Sequence, residues 1–124
     1  MIKILINADS RYPFDRKRAR EKVRQVLRSK GLVQDVELSL SVVGDRKMKA
    51  LNSQYRGKKE TTDVLSFSLH EGKSFPEDNI LRLGDVVISY PQARKHAREF
   101  NILVDEEIDK LVEHGLLHLL GIDH

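Results

Sequence analysis

The chain has 124 residues, of which 33% are charged and 40% are hydrophobic, and its net charge is +3. This length fits a single domain, residues 1–124, with a core of its own. Because the chain has no cysteine, disulfides and thiolate metal ligands are excluded. No apolar run suits a signal peptide or a membrane span, so we expect a cytoplasmic protein that does not contact the membrane.

The charges are unevenly distributed along the chain. Residues 1–62 carry 16 Lys and Arg against 7 Asp and Glu, whereas residues 63–124 carry 6 against 12. The densest basic stretch, residues 11–30, has nine basic and two acidic side chains. Such a stretch can follow a nucleic-acid backbone or form the solvated face of a helix, and charge alone leaves both interpretations open.

The first half of the chain predicts two strands, each followed by a helix. Isoleucine at every second position of residues 2–6 predicts a strand with a buried face. Asp15 is placed to cap a helix that ends near Gly31. The apolar stripe of that helix consists of Ala19, Val23, Val26 and Leu27. Alternation over residues 36–42 predicts the second strand. Asp45 is expected to cap a short helix whose inward residues are Met48, Leu51 and Tyr55.

The second half predicts two strands and then two helices. The strands are expected at residues 64–69, with Leu65, Phe67 and Leu69 on one face, and at residues 83–88. A loop is expected between them over residues 70–81, which include Gly72 and Pro76. Pro91 is expected near the start of a helix through Phe100. The last helix is predicted to start around Asp105 and to stop at Gly121. This order, β-α-β-α-β-β-α-α, predicts an α+β fold: a small mixed sheet of about four strands covered by about four helices.

Three histidines near the end of the chain are spaced to bind one metal ion: His114, His118 and His124. The first two are four residues apart on the last predicted helix, so their imidazoles leave the same face. Gly121 can adopt a positive φ, which would turn the chain so that the third histidine returns to the same point. Three imidazoles leave one tetrahedral position open, as in catalytic zinc sites. We therefore predict one zinc ion, as against three unrelated histidines.

The same spacing matches the metzincin pattern H-E-x-x-H-x-x-G-x-x-H at every position except one. Gly115 stands where the general-base glutamate would follow the first histidine. Glu113 lies about 100° around the helix from His114, so it is poorly aimed to replace that base. A metalloprotease is therefore a second hypothesis, which the missing base disfavours. The other two histidines, His70 and His96, lack partners at ligand spacing and are interpreted as ordinary residues.

Three stretches of the chain occur in the order typical of one family. They are Leu51–Phe67, which contains Tyr55-Arg56-Gly57 and Thr62-Asp63, then Leu83–Ser89, and finally His114–His124. Together they closely resemble the YbeY family, whose members are rRNA maturation factors described as zinc-dependent, single-strand-specific endoribonucleases. The resemblance implies a zincin-like metal helix at the C-terminus, zinc on His114, His118 and His124, and Arg56 as the functional arginine.

On this resemblance we expect an endoribonuclease that cuts single-stranded RNA, namely rRNA, during ribosome biogenesis, with ribosomal particles as partners. Zinc bound to His114, His118 and His124 would polarise a phosphate oxygen or lower the pKa of a bound water, and His114 is on this basis a catalytic residue. Arg56 would hold the scissile phosphate through its planar fork. Asp85 and Asp123 are candidates to accept hydrogen bonds from the ligand imidazoles. A third hypothesis is a non-catalytic, RNA-binding ribosome-assembly factor with a structural metal.

Overall fold

A computed structural model describes residues 1–32, 34–69 and 79–122. Its elements are β1 Ile2–Ala8, α1 Arg16–Ser29, β2 Asp35–Val43, α2 Asp45–Arg56, β3 Val64–Ser68, β4 Ile80–Ser89, α3 Tyr90–Phe100 and α4 Val104–Leu119. The predicted element order and the α+β class are confirmed. The loop predicted over residues 70–81 lies mostly outside the described residues, and β4 already begins at Ile80. Within these ranges, no helix has the length and apolar character needed to cross a bilayer.

The four strands form one mixed sheet in the order β1-β2-β4-β3. β1, β2 and β4 run parallel, and β3 is the edge strand, antiparallel to β4. Helices α1, α3 and α4 cover one face of this sheet and form the main core with it. Among the described elements, only α2 packs on the other face, near β3 and β4. The sheet is therefore covered on one face and largely open on the other, which is unusual for parallel strands.

The main core follows the predicted periodicities. Every predicted stripe residue of α1 is buried, and the even-numbered residues of β1 and β2 point to the same core. Asp15 caps α1 as expected, because its carboxylate accepts the Arg18 backbone N–H at 3.0 Å. Each fully buried aliphatic side chain contributes about 1.5–3 kcal/mol to this assembly. The core thus fixes α1 and α4 against each other and against the sheet.

A β-bulge interrupts β4 where it pairs with β2. The register shifts between Glu37 and Leu38, whose partners are Arg82 and Gly84, so Leu83 is the extra residue. An extra residue in a strand reverses the facing of the residues that follow it. The bulge therefore determines which side chains of the second half of β4 face the core and which face the open side of the sheet.

The prediction that Asp45 caps α2 is wrong. Gly44 occupies the N-cap position and makes no side-chain cap. The Asp45 carboxylate instead accepts hydrogen bonds from the Thr61 and Ser89 hydroxyls, at 3.0 and 2.7 Å, and from the Gln92 amide. The carboxylate thus accepts hydrogen bonds from three residues distant in the chain, although the local pattern predicted that it caps the helix. Two of these bonds join the start of α2 to β4 and α3.

The prediction that Tyr55 points inward is also wrong. The residue is 59% exposed. The ring packs edge-on against Phe67 of β3, with centroids 4.9 Å apart and planes at 61°. Because α2 is the only described helix on its face of the sheet, only a narrow stripe of it is buried, which leaves Tyr55 at the rim.

Candidate functional site

The two histidines of α4 line a cavity of about 250 Å³. His114 and His118 are both exposed and both line it, together with Arg56 and three residues of β3, Val64, Leu65 and Ser66. The i, i+4 spacing therefore places the two imidazoles side by side, as the sequence predicted. Two of the three predicted ligands thus lie on one surface. The third, His124, lies outside the described residues, and within those residues no further His, Asp or Glu completes a metal-binding group.

The end of α4 turns the chain back on itself. Gly121 has a φ of +74°, and its N–H donates to the His118 carbonyl at 3.0 Å. The Ile122 N–H donates to the Leu117 carbonyl at 2.9 Å, which completes a Schellman arrangement. The predicted stop at Gly121 is confirmed. Asp123, a predicted partner of the ligand imidazoles, lies outside the described residues with His124.

Arg56 of α2 lines the same cavity. It is the last residue of α2, and Gly57 ends the helix in the left-handed region with a φ of +68°. Buried Asn52 donates its Nδ2 to the Glu60 carbonyl at 2.8 Å, which holds the following turn against the helix. Across the described ranges, no carboxylate contacts the Arg56 guanidinium. The fold therefore presents this guanidinium to the cavity that the histidines line, although 58 residues separate it from His114 in the chain.

Ser66 is a cavity residue that sequence reasoning missed. Its hydroxyl donates to the Gly115 carbonyl of α4 at 3.0 Å, and its side chain lines the cavity with the histidines. The available signal was a small polar residue in the middle of an apolar strand, between Leu65 and Phe67. Such a residue has to find a hydrogen-bond partner when it faces a helix.

Gly115 lies where α4 packs tightly against β3 and β4. A Cβ at this position would lie 2.7 Å from Val86 Cγ1 and 3.2 Å from Ser66 Oγ. Tight packing therefore excludes a glutamate here, the residue that the metzincin pattern requires. Glu113 is exposed, and its Oε1 lies 4.0 Å from Lys22 Nζ of α1. It does not line the cavity, so it does not replace the missing base.

The prediction that Asp85 supports the ligand histidines is wrong. Leu83 and Val86 both enter the main core, because the bulge between them reverses the facing of the strand. Asp85 consequently faces the open side of the sheet. There its Oδ1 accepts the Ser39 hydroxyl. Strict alternation from Leu83 would have placed Asp85 on the α4 face, and the bulge was not visible in the sequence.

His96 has partners that its position in the chain did not suggest. Its Nδ1 lies 3.5 Å from Glu107 Oε2 of α4 and 3.7 Å from Asp63 Oδ2. Glu107 is buried. These contacts link α3, α4 and the residue before β3, but His96 does not line the cavity of Arg56 and His114. We therefore assign it a structural role.

The basic helix α1 packs against α4, on the covered side of the sheet. Arg18 Nε donates to Asp109 Oδ2 at 2.9 Å, and this hydrogen bond raises the pKa of Arg18. Arg24 pairs with Glu21 at 2.8 Å within the helix. Part of the positive charge is thus engaged in ion pairs, and the remaining cations form a solvated surface.

Comparisons with known proteins identify the relatives of this chain. The sequence profile described as "Endoribonuclease YbeY" matches residues 5–124. An "Endoribonuclease YbeY" of Desulforamulus reducens is 44% identical over 82% of this chain and 68% of its own length. One from Persephonella marina is 42% identical over 100% of this chain and 80% of its own length. One from Anaeromyxobacter is 50% identical over 73% of this chain, but only 45% of its own length is covered.

A solved structure is similar as well. The solution structure of a Thermotoga maritima protein superposes with a TM-score of 0.58 at 29% identity, over 100% of this chain and 75% of that one. The chain is thus an α+β protein with a four-stranded mixed sheet and a helix that bears two histidines. The chain belongs to the YbeY family, because the family profile matches nearly its whole length.

Proposed function

We propose that this protein is a zinc-dependent endoribonuclease that cuts single-stranded RNA in the cytoplasm during rRNA maturation and ribosome biogenesis. The observation that carries the proposal is the shared cavity: Arg56 from α2 and the two histidines of α4 line one space of about 250 Å³. Family membership supports the same activity, since the matched relatives are named endoribonucleases. The rRNA substrate and the ribosomal partners rest on the family resemblance.

The residues at the cavity fit a zinc ion. His114 and His118 would supply two neutral imidazoles from one helix face, and His124 would supply the third. When bound, zinc supplies positive charge that polarises a phosphate oxygen or lowers the pKa of a water. An all-nitrogen set without cysteine or carboxylate suits a catalytic rather than a closed structural site.

Arg56 would bind the scissile phosphate. A guanidinium offers parallel N–H donors that match two phosphate oxygens, and it stays protonated at all working pH values. In the described part of the chain no acidic side chain neutralises Arg56, so its charge is available to the substrate. Fixed donors of this kind stabilise the negative charge that develops on the phosphate in the transition state.

Proteolysis is the weaker alternative for this site. A metzincin-type protease needs a glutamate after the first histidine, and Val86 and Ser66 leave no room for one at Gly115. Phosphodiester cleavage instead requires cationic hydrogen-bond donors around the phosphate, and Arg56 is such a donor.

The test is a parallel incubation of the zinc-loaded protein with single-stranded RNA, duplex RNA and casein. We expect cleavage of the single-stranded RNA alone. Casein cleavage without RNA cleavage would replace the proposal with the protease alternative. RNA binding without cleavage at any metal content would favour the assembly-factor hypothesis.

A further inference from the structure

A second cavity lies on the open face of the sheet, beside the catalytic one. Its volume is about 380 Å³. It is lined by Ser39, Ser41, Leu51, Tyr55, Phe67, Asp85 and Val87. None of these residues belongs to the proposed metal site. The cavity combines an aromatic wall on the α2 side with a polar wall on β2 and β4, and the proposed function so far uses neither.

The aromatic wall consists of Tyr55 and Phe67. Their edge-on contact holds the tyrosine ring in place at the rim, while 59% of the residue remains exposed. A fixed and exposed ring is the arrangement on which proteins stack unpaired nucleobases. Because every base has a π-face, such a wall binds single strands with little preference for sequence.

The polar wall consists of Asp85, Ser39 and Ser41. Asp85 Oδ1 accepts the Ser39 hydroxyl, and no other described residue donates to this carboxylate. Its second oxygen is therefore available as an acceptor at the cavity. A carboxylate accepts from the exocyclic amino group of cytosine but finds no such donor at the O4 edge of uracil.

The two cavities are adjacent through consecutive residues of α2. Tyr55 lines the open-face cavity, and Arg56 lines the cavity of His114 and His118. The edge strand β3 borders both cavities, since Leu65 lines one and Phe67 lines the other. An RNA chain whose phosphate binds Arg56 can therefore place the neighbouring base against Tyr55, which is the preceding residue of α2.

We propose that the open-face cavity is a nucleobase subsite, which binds the base next to the scissile phosphate and prefers cytosine over uracil. This inference rests on the proposed endoribonuclease function. Tyr55 provides the stacking surface and Asp85 accepts the amino group of the base. Lys47 of α2 lines a neighbouring cavity that shares Leu51 and Val87 with this one, and its charge adds attraction for the RNA backbone.

The test measures binding of two fluorescein-labelled 2′-O-methyl oligonucleotides, oligo(C) and oligo(U), to the zinc-loaded protein. Their integrity after each titration is checked on a gel. Replacement of Tyr55 by alanine (Tyr55→Ala) should weaken binding of both by roughly tenfold, the loss expected for one stacked base. Tyr55→Phe keeps the ring and should bind as the wild type does. Phe100→Ala removes an equally exposed ring (63%) on α3 and serves as the matched control, with no expected change.

Asp85→Asn tests the polar wall separately. Asparagine still accepts the Ser39 hydroxyl but adds a donor that suits uracil, so the preference for oligo(C) should fall at least fivefold. If Tyr55→Ala binds both oligonucleotides as tightly as the wild type, the proposed subsite is overturned, and this face would instead suit a protein partner. An unchanged preference in Asp85→Asn would overturn the assigned base recognition. Since these readouts need no cleavage, an inactive wild type would reject the proposed function without rejecting the subsite.

Discussion

The Ser66 hydroxyl donates to the Gly115 carbonyl at 3.0 Å and so joins the edge strand to the histidine-bearing helix. Ser66 also lines the cavity of His114, His118 and Arg56. It is possible because Gly115 has no side chain, which lets the backbone of α4 approach β3 and β4 closely. The position of both histidines at the cavity therefore depends on the packing of Gly115 and Ser66.

The first prediction concerns Gly115→Ala. The new Cβ would clash with Val86 Cγ1 at 2.7 Å, and overpacking of this kind costs about 1–3 kcal/mol. The higher helix propensity of alanine offsets up to about 1 kcal/mol of this cost. We expect a net loss of unfolding free energy in urea melts. Combination with Val86→Ala should recover part of the loss, and strictly additive effects of the two changes would show that they do not share the contact.

The second prediction concerns His118→Ala. Removal of one of three imidazoles leaves a two-ligand site, so zinc content should fall far below one per chain. Elemental analysis of protein purified without added metal measures this directly. His96→Ala is the matched control: it also removes a histidine, but one that lies outside the cavity, and it should retain zinc. Full zinc content in His118→Ala would refute the proposed ligand set.

The third prediction concerns Arg56→Lys. Lysine keeps the positive charge but loses the two parallel donors, so single-turnover RNA cleavage should slow by an amount equivalent to about 2–4 kcal/mol. Zinc content and melting temperature should remain near wild type, because an exposed residue at a helix end contributes little to stability. Arg46→Lys, an exposed change at the other end of α2, should leave cleavage unaltered. Cleavage at the wild-type rate in Arg56→Lys would remove this residue from the mechanism.

The fourth prediction concerns the basic surface of α1. Reversal of three charges spaced by four residues, Arg16, Arg20 and Arg24 to glutamate, should weaken RNA binding and flatten its dependence on salt. Binding is measured at several salt concentrations. Charge reversal at Arg94, Lys95 and Arg98 of α3 changes the net charge equally and is the control for overall charge. If both triple variants lose affinity to the same extent, net charge and not α1 accounts for the effect.

Local patterns in the sequence were sufficient for much of this protein. The stripe of α1, the cap at Asp15, the end of α4 at Gly121 and the shared face of His114 and His118 were all predicted correctly. Each depends on residues within a few positions of one another, where helical or strand periodicity and turn chemistry determine the outcome. Arg56 was suggested by the family resemblance, and its place at the cavity of the two histidines was visible only in the fold.

The remaining features depend on contacts between distant elements. The bulge in β4 arises from its register with β2, and it turns Asp85 away from the histidines. Tyr55 is exposed because no second described helix covers its face of the sheet. Asp45 does not cap α2, because its carboxylate accepts hydrogen bonds from donors on β4 and α3. A side chain's partner is the group that packing brings within reach, and packing depends on register and layer order, which no short stretch of sequence encodes.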